Sequence, residues 1–557
     1  MLPHFIKQHF SFLPLISSAK SSNHSQSNDT FTHSRIYEKN IWTHDYGESL
    51  QCDVKVFLAW IMIDTSISSR KKINETLTDE SVKICVKLVP IDDLQRLGVG
   101  YHFEKEIKRS LDILFGYEEA LTEYDLKKFI IEVIRNTSSS GYCIWITFFT
   151  HYYFLLILDM FKWFMNEDGS FRVGLCEDVK GMLGLYEASH LCLEAKEFKV
   201  KHLKLRGGNI DPDLAKEVNR ALDLPLHWRM PRLEARHYIE VYQRKEDIDP
   251  SLLELAKVDF NALQATHQKE LRNMSRWWKD LGLSDKLGTR DRLVESFLWS
   301  VGLTSQPQDR CCREWLTKVI CLRLTIDDIY DIIGSLSEMF TTAVERWDLE
   351  AMELLPEYMK ICFSALFNTT SDIWADFCKA MLVEAKWSKM GYIPSPTEYL
   401  QNAWISSSVT VGLIHAFFAT NQTIRNSVLE SLDNNPDLIY YSAMVFRLCN
   451  DLATSPAELD RGDVSAIPCY MNEAKTSELI AREKIKSLIS DIWKKLNESI
   501  YDSAFEHSFV TISINNARTD HNIYQHGDGI GVQDHEARKR VARLLFEPIS
   551  VNKSKSP

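Results

Sequence analysis

Three carboxylates close one apolar stretch of the sequence. Asp327, Asp328 and Asp331 end the segment 315–334, in which no Gly or Pro precedes Gly334, so the pattern predicts one helix that is buried nearly all round. Asp327 and Asp331 are four residues apart and share a face. Acids at a helix C-terminus oppose the helix dipole, so we expect a compensating cation, and these hard oxygen ligands suit Mg²⁺ or Mn²⁺. The alternative is an exposed acidic helix end paired with surface Lys or Arg.

A second group of oxygen ligands is spaced along a later helix. Asn450, Thr454 and Glu458 recur every four residues, so on a helix they form one stripe of amide, hydroxyl and carboxylate oxygens that can bind a hard cation. Arg447 lies one turn earlier and could reach an anion held there. Pro456 removes a backbone donor from this stripe, which predicts a bend in that turn. An ordinary polar helix face is the alternative.

A pair of arginines lies upstream of the acidic helix. Arg290 and Arg292 flank Asp291, and Arg290 precedes Asp327 by thirty-seven residues. Two guanidinium groups on one loop can hold an anion from two sides, and the guanidinium fork matches phosphate oxygens. We expect this loop to contribute little packing. A surface loop with salt bridges is the alternative.

These three groups together predict a cavity that holds several divalent ions and a diphosphate. Metal ions and arginines stabilise the charge that develops on a departing diphosphate. If nothing polar replaces the diphosphate, a carbocation is left, and it needs a dry pocket with aromatic faces. Trp299 and Tyr524 are candidates for the pocket wall, although core packing also explains either one alone.

The elements that carry these residues are expected to be helices. Only 21 Gly and 16 Pro occur in 557 residues, and 45% of the residues are hydrophobic, so the chain has few punctuating residues and can bury large cores. The net charge of −12 argues against a nucleic-acid partner. The 12 Cys include no C-x-x-C pair, which indicates free thiols in a reducing compartment.

Composition divides the chain into three parts. Residues 1–30 are rich in Ser and contain no acid before Asp29, which is typical of an organelle transit peptide and favours the plastid. If this segment is not a transit peptide, a cytoplasmic location is expected. The two prolines in the segment 222–236 indicate an inter-domain junction, so we predict helical domains at 31–225 and 226–550.

The run 142–158 is apolar and contains no acid, Lys or Arg. It sits at the short limit for a membrane span and has no basic cluster beside it. We therefore expect a buried segment, or one that disrupts the local fold, and no membrane association.

Four motifs, in this order, resemble those of plant class I terpene synthases, closest in wording to the angiosperm monoterpene synthase branch. They are R-D-R (290–292), D-D-I-Y-D (327–331), N-D-L-A-T-S-P-A-E (450–458) and Y-Q-H-G-D-G (524–529). The resemblance runs from about Ser34 to Ile549 with gaps. It implies an all-α fold of two helical domains, an N-terminal helical barrel-like domain and a C-terminal class I terpenoid synthase helical bundle that carries catalysis.

The resemblance also implies a role for each motif residue. Three Mg²⁺ ions are expected per active site, with Mn²⁺ as an alternative metal, and the implied metal ligands are Asp327, Asp328 and Asp331 for two ions and Asn450, Thr454 and Glu458 for the third. The arginines implied to bind the departing diphosphate are Arg290, Arg292 and Arg447. The implied substrate-binding residues are Arg290, Asp327, Asp331, Arg447 and Asn450. The residues implied at the pocket mouth, where a family proposal places a base for terminal deprotonation, are Tyr524 and Asp528.

The implied reaction is ionisation of a prenyl diphosphate and quenching of the carbocation to a volatile terpene. In the family a tandem Arg upstream of its N-terminal Trp accompanies cyclising enzymes; counted back from Trp42, those positions here are Thr32 and His33. We therefore expect geranyl diphosphate as the substrate and an acyclic product, made by a monomer. The alternatives are farnesyl diphosphate as the substrate and a catalytically silent relative. A prenyl chain-elongating transferase would need a second D-D-x-x-D where this sequence reads N-D-L-A-T.

Overall fold

The structure, a computed structural model, describes residues 40–42, 84–116, 179–190, 211–245, 248–283, 289–332, 341, 371–420, 437–500, 503 and 505–551. Every regular element in these ranges is a helix, and no strand occurs in them. The prediction of an all-α protein is confirmed. The segment 1–30 and the apolar run 142–158 lie outside the described residues.

The described residues of the N-terminal part contain four α-helices before the 3₁₀ turn at residues 226–228 and one α-helix after it. They are α1 (Ile84–Arg96), α2 (Glu104–Gly116), α3 (Val179–Ser189), α4 (Pro212–Asp223) and α5 (Pro231–Tyr242). Both α4 and α5 begin with a proline, whose fixed φ suits the first helical position. A 3₁₀ turn, Leu226–Trp228, separates these two helices, so the chain does leave its helical path inside the predicted junction 222–236.

The helices after this junction, and the loops between them, carry all the motif residues. They are α6 (Pro250–Leu281), α7 (Leu293–Leu303), α8 (Arg310–Ile332), α9 (Ser371–Met390), α10 (Pro396–Ser406), α11 (Val409–Ala419), α12 (Asp437–Arg461), α13 (Ala466–Ala474), α14 (Glu478–Glu498), α15 (His507–Tyr524) and α16 (His535–Val541). A π-helical turn, Ala542–Phe546, follows α16. The helix predicted for 315–334 is present through Ile332, where the described range ends.

Two hydrophobic cores meet at α8. Val319 and Ile326 belong to a core shared with α1 to α7 and α9, whereas Ile320 and Leu324 belong to a core formed mainly by α10 to α15. A helix whose opposite sides face different cores must be apolar around most of its circumference. This position explains why apolar residues recur around most of the circumference of α8.

The helix α12, which carries the second motif, is linked to α8 through α15 and α7. α12 packs extensively against α14 and α15, and α7 packs against both α8 and α15. The four helices α7, α8, α12 and α15 therefore bring residues from 299 to 524 into one region. None of the helices in the described ranges is both long and apolar enough to cross a membrane.

Candidate active site

The two adjacent acids near the end of α8, Asp327 and Asp328, are bound by Arg290. Asp328 is fully buried, and its carboxylate accepts hydrogen bonds from the Arg290 backbone N–H and Nε, both at 2.7 Å. Arg290 Nη2 also pairs with Asp327, whose side chain keeps 38% of its surface exposed. One arginine thus partly neutralises both acids, and Asp327 still presents carboxylate surface to the cavity. Asp331 lies on the last described turn of α8; its side chain is outside the described atoms.

Arg292 faces away from these acids. It is only 2% exposed, and its guanidinium donates to the carbonyls of Ile530 at 2.8 Å and Gly531 at 3.1 Å. The expectation that the R-x-R loop contributes little packing is therefore wrong for this residue. The side chains of Arg290 and Arg292, just before α7, point in different directions. Arg290 contacts α8, and Arg292 binds the loop that follows α15.

Asp528 helps to form that same loop. Its Oδ1 accepts from the backbone N–H groups of Ile530 at 3.1 Å and Gly531 at 2.7 Å. A Cβ at position 531 would lie 2.1 Å from Asp528 Oδ2, so any larger residue here would require the Asp528 carboxylate to shift. The Asp528 carboxylate accepts from the N–H groups of this turn and Arg292 donates to its carbonyls, which places the motif Y-Q-H-G-D-G beside the start of α7.

The oxygen stripe on α12 exists as the spacing predicts. Thr454 Oγ1 donates to Glu458 Oε1 at 2.7 Å and lies 2.8 Å from the backbone carbonyl oxygen of Asn450. Glu458 Oε2 is buried and has no hydrogen-bond partner in the described part of the chain. An enclosed carboxylate oxygen without a donor, next to hydroxyl and amide oxygens, fits a hard divalent cation. The described side chains include no cluster of three or more His, Cys, Asp or Glu with metal-binding geometry, so the amide and hydroxyl are needed to complete such a site.

The electrostatics of this stripe favour a cation. Burial, together with repulsion from Asp451, raises the pKa of Glu458 to about 8. A cation bound at Glu458 would favour the ionised carboxylate and would take the place of that proton.

Arg447 is held in a buried network that the sequence did not reveal. It donates to Tyr399 Oη at 2.7 Å and to Glu384 at 2.8 Å, and its Nε lies 3.2 Å from Asp451. Burial alone would lower the pKa of Arg447, but Glu384, Tyr399 and Asp451 together raise it well above its ordinary value. The guanidinium therefore stays charged beside the stripe. Asp451 also accepts from the Ala466 backbone N–H at 2.9 Å, which ties α12 to the start of α13.

Pro456 does not end α12, because an arginine from another helix replaces the missing donor. Proline at 456 cannot donate to the carbonyl of Leu452, one turn earlier. Arg482 Nη1 from α14 donates to that carbonyl at 2.9 Å, and Arg482 Nη2 contacts the Ser455 hydroxyl. The helix continues to Arg461. Pro456 was visible in the sequence, but its partner is twenty-six residues away and has no motif of its own.

Three aromatic rings from three helices meet beside these polar groups. Trp299 on α7, Phe446 on α12 and Tyr524 on α15 lie with ring centroids 5.5 to 6.0 Å apart and with tilted or edge-to-face planes. We call these three residues the aromatic cluster. The Asn450 side chain contacts the Tyr524 hydroxyl, so the cluster directly adjoins the oxygen stripe. Burial raises the pKa of Tyr524 well above its usual value, and the hydroxyl remains neutral.

Both halves of the chain match one family of known proteins. Residues 41–222 match "Terpene synthase, N-terminal domain", and residues 279–495 match "Terpene synthase family, metal binding domain". The second range contains the R-x-R loop, the acidic end of α8 and the oxygen stripe of α12.

Individual proteins of known name resemble the chain over nearly its full length. It is 44% identical to alpha-thujene synthase, chloroplastic, of Litsea cubeba, covering 92% of this chain and 91% of that protein. It is 42% identical to myrcene synthase, chloroplastic, of Quercus ilex, covering 95% and 92%. Among solved structures, isoprene synthase from grey poplar leaves (Populus x canescens), in complex with three Mg²⁺ ions and dimethylallyl-S-thiolodiphosphate, is similar with a TM-score of 0.78 and 37% identity, covering 92% and 99%.

Proposed function

The chain belongs to the terpene synthase family, and on this basis we propose that it converts geranyl diphosphate, in a Mg²⁺-dependent reaction, to diphosphate and a mainly acyclic volatile terpene. Enzymes of this family are lyases that act on prenyl diphosphates, and the chain is such an enzyme. The choice of geranyl over farnesyl diphosphate, and of an acyclic product, is the specific part of the proposal.

The observation that carries the proposal is the convergence of two polar groups on one aromatic cluster. Asn450 belongs both to the oxygen stripe and to the surroundings of Tyr524, while Asp327 lies at the end of α8 with exposed carboxylate surface. A diphosphate held between these helices would have its hydrocarbon chain beside aromatic rings. This arrangement suits a reaction that separates a highly negative diphosphate from a carbocation.

The chain's own residues have separate tasks in this proposal. Asp327, Asp328 and Asp331, and on the other side Asn450, Thr454 and Glu458, would hold the metal ions. Bound Mg²⁺ would supply Lewis-acid stabilisation of the leaving diphosphate. Arg290 and Arg447 are charged groups beside these two ligand sets and would contact diphosphate oxygens. Arg292 and Asp528 act on the loop after α15 and would position rather than contact the substrate.

The chemical step balances without any further reagent. The C–O bond to diphosphate breaks, and its electron pair leaves with the diphosphate. The allylic cation then becomes neutral by losing a proton, or by adding water and losing a proton from the added oxygen. The aromatic cluster offers π faces that attract a cation and do not attack it. Thr32 and His33, in place of the tandem Arg that accompanies cyclisation in this family, support an acyclic outcome.

The relatives support the compartment of the protein, whereas its assembly state is proposed from the sequence. The related alpha-thujene and myrcene synthases are chloroplastic, and the plastid is the location of this protein. A monomer remains our expectation from the sequence.

One experiment tests the proposal and its main alternatives. The full chain is incubated with geranyl or farnesyl diphosphate and Mg²⁺, and both released diphosphate and volatile products are measured. We expect diphosphate release with geranyl diphosphate and acyclic volatiles, loss of both in EDTA, and recovery on adding Mg²⁺ or Mn²⁺. Dominant cyclic monoterpenes, or a strong preference for farnesyl diphosphate, would contradict the specific part. A folded protein that releases no diphosphate from either substrate would be a silent relative.

A further inference from the structure

A positively charged residue lies against the aromatic cluster. Arg323 sits on α8 one turn before Asp327, so it lies on the same face of the helix. Its guanidinium carbon is 5.2 Å from the ring centroid of Trp299 and 4.8 Å from that of Phe446. Both distances are within the range of cation–π attraction. Two of the three rings of the cluster therefore already face a cation that belongs to the protein.

The guanidinium of Arg323 is enclosed but has no polar partner. Among the residues that the structure describes, it forms no hydrogen bond and no ion pair within 4 Å. Its direct contacts there are the cation–π contacts with the two rings. Burial lowers its pKa, while Tyr524, Asp327 and Asp520 raise it. Its neighbours Leu322 and Leu324 are buried in the two cores, whereas Arg323 keeps some accessible surface. Arg323 therefore lies among protein groups but keeps accessible surface on the face of α8 that also carries Asp327.

Packing in the hydrophobic core does not explain why the Arg323 guanidinium lies here without an acceptor. An arginine carries five N–H donors, and enclosing them without acceptors is unfavourable. Other buried arginines have at least one acceptor: Arg313, for example, is fully buried and binds Glu270 through two hydrogen bonds of 2.8 Å. Arg323 differs because its guanidinium lies over two aromatic rings and meets no acceptor among the residues that the structure describes.

The consequence for a carbocation is electrostatic and steric. A second cation brought to these rings would be repelled by the guanidinium, and repulsion is strong where water is excluded. The arginine side chain also takes up volume in the space that a longer hydrocarbon chain would need. A substrate-derived cation is therefore best stabilised away from Trp299 and Phe446, next to the diphosphate that has just left.

We propose that Arg323 is a specificity-determining residue that confines the substrate cation to the diphosphate end of the cavity, and so selects short prenyl chains and early quenching over longer chains and ring closure. This inference rests on the proposed function, because it concerns the cation which that reaction generates. It adds a residue outside the four motifs as the cause of the acyclic outcome.

The test replaces the charge and follows binding and products separately. Wild type, Arg323→Leu and Arg323→Met are compared in the full chain. Binding of the S-thiolodiphosphate analogues of geranyl and farnesyl diphosphate is measured with Mg²⁺, and products are identified from the natural diphosphates. We expect both variants to shift the farnesyl-to-geranyl affinity ratio by about tenfold or more towards farnesyl, which equals about 1.4 kcal/mol. Among the products, we expect a larger share of cyclic terpenes.

Lys318→Leu is the matched control. Lys318 lies on the same helix and also sits over two indole rings, at 5.5 Å from Trp277 and 5.4 Å from Trp315, but it is five residues from Arg323 and lies on another face. This variant should leave the affinity ratio and the products unchanged. Arg323→Lys, which keeps a charge, should stay close to wild type.

Several outcomes would overturn the inference. An unchanged affinity ratio and product profile in both neutral variants would show that Arg323 does not limit the cavity. Loss of binding of inorganic diphosphate in Arg323→Met would make the residue an anion ligand instead. If the wild type binds the analogues but releases no diphosphate from any substrate, the proposed function fails, and the affinity ratio still decides the role of Arg323. Should Arg323→Leu fail to fold, Arg323→Met, which keeps most of the side-chain volume, provides the same measurement.

Discussion

Arg290 and Arg292 are two residues apart and have different tasks. Arg290 contacts Asp327 and Asp328 of α8, while Arg292 is buried and binds two carbonyls of the loop after α15. We expect Arg292→Ala to lower the free energy of unfolding by about 3 kcal/mol, because it leaves buried carbonyls without donors. Arg292→Lys should rescue little, since an ammonium cannot form the same planar fork.

Arg290→Ala should reduce the reaction rate more than the stability, the reverse of the effect expected for Arg292→Ala. Its side chain contacts the acids that would hold metal and diphosphate, so the rate of diphosphate release per folded molecule should fall more than the stability does. Thermal unfolding and single-turnover release, measured on both variants, separate the two effects. Equal loss of rate per folded molecule in Arg290→Ala and Arg292→Ala would contradict this division of tasks.

Asp327 combines an exposed carboxylate with a position at the cavity. Because its side chain is 38% exposed, Asp327→Ala should leave the unfolding midpoint nearly unchanged. Turnover should fall by a factor on the order of a hundred or more, since even outer-shell partners of a metal typically contribute 10- to 100-fold. Asp331→Ala should behave similarly. Near-normal product formation by either variant would refute the assignment of these acids as metal ligands.

The helix α12 depends on a donor supplied by α14. Arg482 binds the Leu452 carbonyl that Pro456 leaves free, and it does so within the oxygen stripe between Asn450 and Glu458. We expect Arg482→Met to disturb this turn and to raise the Mg²⁺ concentration needed for half-maximal activity by about tenfold. Adding Pro456→Ala should restore part of the loss, because alanine returns the backbone N–H to the Leu452 carbonyl.

The control for this prediction lies one turn further along α14. Lys486 is exposed and pairs only with Glu483 on its own helix, so Lys486→Met should not change the Mg²⁺ dependence. An Arg482→Met variant that loses stability but keeps the wild-type Mg²⁺ dependence would show that the arginine supports the fold and not the metal ligands.

Across the whole molecule, a cluster of His and Trp joins the N-terminal helices to the C-terminal ones. His190 after α3 contacts Trp228 at the junction at 5.1 Å, and Trp228 stacks on Trp493 of α14 at 5.5 Å. His521 of α15 packs against both indoles. Burial lowers the pKa of His190 and of His521 to about 4. These imidazoles are neutral and enclosed in the folded protein.

This cluster predicts acid instability with a defined pH window. Because the folded pKa lies below the unfolded value of about 6.5, the unfolded chain binds more protons between the two values. Stability is therefore fully present above about pH 6.5 and falls as the pH drops towards about 4, by up to about 1.4 kcal/mol per pH unit for each histidine.

A single variant measures this contribution. His521→Phe should reduce the slope of unfolding free energy against pH by about one proton over this window, whereas substitution of the exposed His507 on the same helix should not. Urea unfolding from pH 7 to 4.5 provides the measurement. An unchanged slope in His521→Phe would contradict the account.

Local spacing was enough to determine the helical class, the extent of α8 through Ile332 and the common face of Asn450, Thr454 and Glu458. The common face depends on periodicity within one helix, and the helical class and the course of α8 depend on the scarcity of Gly and Pro; a linear sequence displays both directly. The break between helices near Pro225 and Pro231 was visible for a different reason: proline restricts its own backbone and that of the residue before it.

Only the tertiary structure decided which groups the motif residues meet. The contacts of Arg292 with residues 530 and 531, of Arg447 with Glu384 and of Arg482 with the Leu452 carbonyl join separate helices or loops. No periodic signal links such positions, because the distance between two elements in space does not depend on their separation along the chain. The position of Arg323 against Trp299 and Phe446 is of this kind: a charge within an apolar helix was visible in the sequence, but the rings it faces come from two other helices.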